Sequence, residues 1–482
     1  MDDVRSSYVR GAFLPPSDDR RQVEDPSDTT RVVGQWSPAT PAQAAEAAEA
    51  AKEAYPAWEA WTAPARGQVL FKAATLLEAE RDAVATLASS EMGKPIGEMR
   101  GEVDRGVALL RYYAGEGTRA VGEVYPSAMA DALLFTRRTG VGPVLLITPW
   151  NFPVAIPIWK MAPALVFGNT VVWKPAEWSS LTAVRLVEVL GGAGFPPGVI
   201  NLVLGPGRTL GAALTRNPAI RAVSFTGSRP AGMSIAAGAL ETGARFQLEM
   251  GGKNPAIVLE DADIDVAVER ILSSAMRSAG QKCTATSRVI ALPGILPSLR
   301  EALVERARAL KQGPALDASV FLGPVVSATQ RESILAKVKG GVAEGGVVLT
   351  GSEPPAGMPP GHWVPPVIVD GARPGGVLHT EELFGPVVGL FAADTAEAAV
   401  ALANQVPYGL SASIFTRDLD RALYFIRHME AGLVRVNDES AGVEYQAPFG
   451  GVKESSWGWR EQGRAAIEFY TETHTVTVRP SR

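Results

Sequence analysis

Cys283 is the single cysteine of the chain and sits in Gly280-Gln281-Lys282-Cys283-Thr284. One thiol closes no intrachain disulfide and builds no multi-cysteine metal site. It is a small buried hydrophobe, a chance exposed thiol, or a nucleophile. Asn151 stands in Thr148-Pro149-Trp150-Asn151-Phe152-Pro153, directly after the apolar run that starts at Val144. An uncharged amide N–H at a strand end is the kind of donor that stabilises a developing oxyanion. A turn asparagine in a Pro-flanked loop has the same appearance. Glu249, in Gln247-Leu248-Glu249-Met250-Gly251-Gly252-Lys253-Asn254-Pro255, precedes a Gly-Gly turn. A partly buried carboxylate with a raised pKa is a usable general base, although most glutamates are simply solvated.

Three further segments suit a dinucleotide. Trp173-Lys174-Pro175-Ala176-Glu177 puts Lys174 and Glu177 where each can reach a ribose hydroxyl. The carboxylate would also repel a 2′-phosphate and so favour NAD over NADP. A surface ion pair is the plainer account. In Ser224-Phe225-Thr226-Gly227-Ser228, followed by Gly232, the glycine lets main chain approach a phosphate at a helix N-terminus. The stretch is not a GxGxxG fingerprint, and alone it fits any strand-to-helix turn. Glu381-Glu382-Leu383-Phe384-Gly385-Pro386 gathers two carboxylates and an aromatic in one loop.

These residues need elements to hold them. Pro41 to Trp61 is alanine-rich with spaced acidic residues and predicts a helix; Ala65 to Ser90 continues with Val69, Leu70, Ala73, Leu76 and Leu77 at helical spacing. Short apolar runs then alternate with helical patterns: Val144 to Thr148, Thr170 to Trp173, Val199 to Leu204, Ala222 to Phe225 and Phe246 to Leu248. A second series has Pro255 to Leu259, Arg288 to Ala291, Val367 to Val369, Val387 to Phe391 and Leu433 to Val436, with helices such as Leu299 to Leu310 and Asp418 to His428. Such alternation predicts two α/β domains with parallel sheets. Thr118 to Thr139 and Phe469 to Val478 remain as strands without a home sheet, of the kind that pair with another subunit.

The chain has 482 residues, which predicts two or three domains. Its composition, 46% hydrophobic and 20% charged, is that of a soluble globular protein. A net charge of −5 without a basic block leaves nucleic acid no electrostatic footprint. The opening MDDVRSSYVRGAFLPPSDD lacks the apolar core of a signal peptide. Four prolines break the most apolar stretch, GPVLLITPWNFPVAIPIW, so no membrane span is expected. A single free thiol suits a reducing cytoplasm, and no metal ion is expected.

Taken in order, PWNFP, KPAE, FTGS, LEMGGKNP, GQKC, EELFGP and the closing Pro448-Phe449-Gly450-Gly451-Val452-Lys453 resemble the NAD(P)-dependent aldehyde dehydrogenase superfamily from about Val32 onward. The resemblance implies two Rossmann-like parallel-sheet domains plus a small β oligomerisation arm. It places the NAD-binding domain at 1–117 and 141–248, the catalytic domain at 249–445, and the arm at 118–140 and 465–482. It further implies that Cys283 attacks the aldehyde and that Asn151 and the Cys283 N–H hold the oxyanion. Glu249 activates water and Lys160 assists the proton network. Thr148, Pro149 and Trp150 border the cofactor, Lys174 and Glu177 take the adenosine ribose, Thr226 lies near the nicotinamide, and Gly227 and Ser228 meet the pyrophosphate. Glu382 takes the nicotinamide ribose with Phe384 beside it. NAD is the expected cofactor with NADP possible, and the expected assembly is a homodimer or homotetramer.

Within that superfamily, Ala441 to Gln446, Ser455-Ser456-Trp457-Gly458, Arg460-Glu461-Gln462-Gly463 and Ala155 to Lys160 look like the α-ketoglutaric semialdehyde (2,5-dioxopentanoate) dehydrogenase branch. A carboxylated substrate would want a cation. Arg277, with Met276 where many relatives carry aromatics, is either that cation or a surface residue. Phe152, Trp159 and Phe449 are the other expected tunnel residues, and ordinary core packing would account for them equally. An aromatic wall would also serve a broad range of aliphatic or aromatic aldehydes. Coenzyme A-acylating relatives generally lack a glutamate at the place of Glu249. A non-catalytic role conflicts with the joint presence of Cys283, Asn151, Glu249, Lys174 and Glu382.

Overall fold

Five parallel strands form the centre of the first sheet in the computed structural model, which describes residues 4–351, 353 and 356–481. Their spatial order is Arg245–Glu249, Ala222–Thr226, Pro143–Thr148, Thr170–Pro175 and Ile200–Leu202. Numbered along the chain, this is the doubly wound order in which the sequence reverses direction between Pro143–Thr148 and Ala222–Thr226. Every residue of Pro143–Thr148 and Thr170–Pro175 is buried, because helices cover both faces. One of them is Pro41–Glu59, entered through a capping box: Thr40 Oγ1 accepts from Gln43 N at 3.2 Å, and Gln43 Oε1 accepts from Thr40 N at 2.8 Å. Its alanine face, Ala44, Ala47, Ala48 and Ala51, lies against the sheet with no exposed area to spare.

The second sheet has seven strands, in the order Val347–Thr350, Val367–Asp370, Val387–Ala392, Thr286–Ala291, Asn254–Val258, Ser411–Phe415 and Leu433–Val436. All neighbours are parallel except the edge strand Val347–Thr350. A third, small sheet pairs Thr471–Val478 antiparallel with Leu133–Gly140, and Val124–Tyr125 adds to its other side. Both segments left without a home sheet therefore pair with each other in one small sheet of the same chain.

Several expectations need adjustment. The helical pattern from Ala65 to Ser90 is two helices, Ala63–Ala79 and Arg81–Met92, broken at Glu80 where φ/ψ is −96°/11°. Both helices bury their apolar residues in one core, so the periodicity runs on across the break. Glu249 is the last residue of a first-sheet strand rather than the first of the second domain; the chain crosses over at Gly251-Gly252. Within residues 446–464, assigned to no domain above, Ser456–Trp457 returns to the first sheet and pairs antiparallel with Leu248 and Glu249, while Val452–Lys453 pairs with Tyr408–Gly409. Near the N-terminus, Asp28–Trp36 lies between Val4–Arg5 and Arg21–Asp25 in a separate three-stranded sheet. That sheet also reaches the second domain, where Thr29 N donates to Pro360 O at 2.7 Å. Residues 1–3 and 482, which the expected domains included, lie outside the described residues. Among the described residues no helix is long and apolar enough to cross a membrane.

Candidate active site

In an open parallel sheet the crevice at the reversal of strand order is where ligands fit, because neighbouring loops diverge there. Here the two loops are Pro149 to Pro153 and Gly227-Ser228. A cavity of about 280 Å³ opens between them, lined by Trp150, Asn151, Thr226, Cys283, Glu382 and Phe384 among others. Pro149, Gly227 and Ser228 line it as well. Thus seven of the ten expected cofactor residues, and the only thiol, border one space; Cys283, Glu382 and Phe384 come from the second domain.

The second-domain loops are held close by main chain. Phe384 adopts φ 53°, a costly conformation for a bulky residue, and its ring meets Trp150 edge-on at 5.6 Å. Gln330 Nε2 donates to Phe384 O at 2.9 Å and holds that turn. Ser278, Ala279 and Gly280 all have positive φ just before the thiol. A Cβ at Gly280 would come within 2.1 Å of Gly385 O, so only glycine lets the two loops touch. Glu98 Oε1 and Oε2 accept from Ser278 N (2.9 Å) and Oγ (2.7 Å) and brace the same turn. Asn254 Nδ2 donates to Cys283 O at 2.8 Å.

Burial pushes the Cys283 thiol up to about 12, and the carboxylates of Glu249 and Glu382 push the same way. The main-chain N–H groups of Cys283 and Thr284 oppose this in part. The resting group is a protonated thiol, with two N–H donors beside it. Asn151 is buried; its Nδ2 donates to Gln281 O at 2.8 Å, and among the described residues its Oδ1 has no partner.

Glu249 lies at the end of its strand, where Oε2 accepts from Ser456 Oγ at 2.7 Å and Oε1 is buried without a partner among the described residues. Burial raises its pKa well above the ordinary value, and the charge of Glu461 adds to the rise. A Cβ at Gly450 would press to 2.7 Å of Glu249 Oε1, so the glycine leaves that oxygen its space. Lys160 is fully buried, ion-paired with Glu461, and donates to Ser224 Oγ at 2.8 Å. Gln247 Nε2 also donates to Ser224 Oγ, at 2.8 Å, and Trp159 Nε1 donates to Glu461 Oε2 at 2.7 Å. Glu461 and Ser456 lie in runs read above only for the branch resemblance, with no role assigned to them; the fold brings them to Glu249.

Other expected residues lie off the cavity. Thr148 Oγ1 accepts from Trp173 Nε1 at 2.9 Å and so braces the sheet. Lys174 is buried, donates to Pro175 O at 2.8 Å, and is lowered to about 8 by burial, with Glu177 countering. It shares the next strand end with half-exposed Glu177. Trp159 and Phe449 are buried with ring centroids 5.5 Å apart, and the Phe152 ring sits beneath Lys94 Nζ at 3.8 Å. Arg277 is exposed, and its guanidinium lies 4.5 Å over the Phe321 ring, a cation–π contact that accounts for its placement.

The model of the aldehyde dehydrogenase family matches residues 13–476. An alpha-ketoglutaric semialdehyde dehydrogenase of Bacillus subtilis (strain 168) is 48% identical, over 98% of each chain. A 2,5-dioxopentanoate dehydrogenase of Saccharolobus solfataricus is 39% identical over 86% of this chain and 87% of its own. The crystal structure of betaine aldehyde dehydrogenase from Staphylococcus aureus in complex with NAD+ superposes with a TM-score of 0.95 at 32% identity, covering 99% of this chain and 96% of that one.

Proposed function

Because this chain belongs to the aldehyde dehydrogenase family, we propose that it oxidises α-ketoglutaric semialdehyde, or a similar semialdehyde, to the acid with NAD as oxidant, through a covalent thioester on Cys283. One observation carries the chemistry: the only thiol borders the crevice at the strand reversal together with Asn151 and Thr226. The substrate reading rests on the relatives just named, two of which carry that activity in their names.

The crevice fits a nicotinamide dinucleotide. Thr226 Oγ1 is buried with no partner among the described residues, and Ser228 opens the helix Arg229–Thr242 without a side-chain bond to its first turn, which leaves the positive end of that helix toward a phosphate. Trp150 and Phe384 offer aromatic faces, and Glu382, whose Oε1 accepts from Gly252 N at 3.1 Å, offers a carboxylate to a ribose. Lys174 and Glu177 would take the far ribose, the carboxylate favouring NAD over NADP. When bound, NAD supplies the hydride acceptor.

The chain's own residues then do the following. The Cys283 thiol gives up its proton to solvent as Sγ attacks the aldehyde carbon, and the carbonyl oxygen becomes a tetrahedral alkoxide. Asn151 Nδ2 and the Cys283 N–H hold its oxygen; losing one such donor costs about 10²–10³ in rate. Oxidation leaves a thioester on Cys283. Glu249 takes a proton from the water that cleaves it, and Lys160 with Glu461 lies next along the buried network. Splitting the oxidation this way replaces one hard step by two easier ones. The presence of Glu249 speaks against the coenzyme A-acylating alternative.

The arm of Leu133–Gly140 and Thr471–Val478 leaves Val124, Leu133 and Val478 exposed, which supports assembly as a dimer or tetramer. A lone, reactive-site thiol suits a reducing compartment, the cytoplasm.

The test is NADH formation with NAD and a panel of α-ketoglutaric semialdehyde, succinic semialdehyde, hexanal and benzaldehyde. The expected result is the highest kcat/KM for the first. A preference for hexanal or benzaldehyde would overturn the substrate reading and leave a broad-specificity enzyme. No NADH from any aldehyde would overturn the activity.

A further inference from the structure

A buried ion pair outside every motif above holds the Asn151 loop. Lys94 Nζ donates to Glu102 Oε2 at 2.6 Å and to the main-chain oxygen of Asn151 at 2.6 Å. The same ammonium lies 3.8 Å from the centroid of the Phe152 ring. The other oxygen, Glu102 Oε1, accepts from Val154 N at 2.8 Å and Ala155 N at 3.0 Å. These two side chains are 1% and 2% exposed. Residues 151, 152, 154 and 155 are therefore all gripped by one pair, on both sides of Pro153, which has no N–H to offer.

Glu102 belongs to the helix Ile96–Glu116, and Lys94 to the turn that starts it. One turn earlier on that helix, Glu98 grips Ser278 in the strained stretch leading to Cys283. One helix thus sets both loops, and they meet where Asn151 Nδ2 reaches Gln281 O. Stability alone is a weak reason for such a pair, since an apolar pair of similar size is often at least as stable. A donor that must sit within a fraction of an ångström of a developing charge is a better one.

We propose that the Lys94–Glu102 pair is the positioning element of the oxyanion site, fixing the main chain of Asn151 so that its amide faces Cys283. The proposal rests on the reading of Asn151 as oxyanion donor and Cys283 as nucleophile.

The test is a mutant cycle of Glu102→Gln and Asn151→Ala, read by aldehyde oxidation and by alkylation of Cys283 with iodoacetamide, which develops no oxyanion. Glu102→Gln is expected to lower kcat/KM about 10- to 100-fold, mainly through kcat, with NAD affinity and the alkylation rate within about twofold. In the Asn151→Ala background the same change is expected to add less than about twofold, because the group it positions is gone. Equal losses in both backgrounds, equal losses in alkylation and oxidation, or no loss at all would overturn the proposal. Full activity of Asn151→Ala alone would instead sink the reading of Asn151 as donor, whatever Glu102→Gln does. If Glu102→Gln does not fold, Lys94→Met with Glu102→Gln, neutral at both positions, replaces it in the cycle with the same outcomes.

Discussion

Asn151 Nδ2 donates to the main-chain oxygen of Gln281 at 2.8 Å, which ties the loop after the central strand of the first sheet to the loop that carries Cys283. An amide nitrogen has two protons. The one spent on Gln281 sets the plane of the group, and the other is left for the site. The cross-domain hydrogen bond thus orients a donor without consuming it.

Replacing Cys283 by Ala should abolish NADH formation while NAD binding, followed by fluorescence titration, stays within about threefold. The thiol lines the cavity and meets only main-chain N–H groups of its own loop, so its loss leaves Thr226, Glu382 and Phe384 in place. The expected loss is at least about 10⁴-fold, since donors without a nucleophile retain little of the rate. Substantial residual turnover would remove Cys283 from the reaction.

Glu249→Gln should give a burst of about one NADH per site followed by a steady state slowed on the order of 10²-fold or more. Acylation needs Cys283 and Asn151; only the hydrolysis of the thioester needs the base. Rapid-quench or stopped-flow traces without a burst, at unchanged steady-state rate, would assign the deacylation base elsewhere.

The pKa of Cys283, pushed up to about 12 by burial and by Glu249 and Glu382, makes the resting thiol protonated at neutral pH. Its alkylation by iodoacetamide should therefore keep rising about tenfold per pH unit from pH 7 to 10, with no plateau near the ordinary ~8.5. Saturating NAD should shift that profile to lower pH, because a positive ring beside the sulfur favours the thiolate. A plateau near pH 8.5 in the free protein would show the thiol to be better solvated than its surroundings allow.

Glu461→Gln should act on Glu249 from a distance. Removing the anion takes away a cause of the high pKa. The acidic limb of the kcat profile should move to lower pH. Wild-type stability falls as pH rises from the ordinary glutamate range through the raised folded pKa of Glu249, because the folded state favours the neutral carboxyl; this slope should shrink in the variant. Breaking the buried pair with Lys160 should also cost about 3–5 kcal/mol in urea unfolding. An unmoved limb would mean that the two carboxylates do not feel each other.

Cys283, Asn151 and Glu249 were legible in the sequence because each has an unusual residue type at an apolar run's end or in a Gly-rich turn. The parallel sheets followed from the βα alternation, but the strand order that brings Thr226 beside Pro149 did not. The contacts of Lys94, Glu102, Ser456 and Glu461 were not legible, because their meaning lies in partners 57, 52, 207 and 301 residues away. No local periodicity records such a pairing. The break at Glu80 was invisible for a related reason: one core buries both helices, so the apolar spacing does not change. Ser411–Phe415 was missed as a strand because alternating serines dilute its apolar signal, and those serines are buried against other strands and loops.

The short strand Ser456–Trp457 has a temporal consequence. During synthesis the thiol and Asn151 leave the ribosome well before the hydroxyl that steadies Glu249 and the carboxylate that holds Lys160. In the mechanism proposed above, a partly made chain owns the thiol that captures aldehydes without owning the groups that release them. Any capture by such a chain would be a dead end, so the order in which the two halves of the chemistry are born makes hydrolytic turnover a property of the finished polypeptide alone.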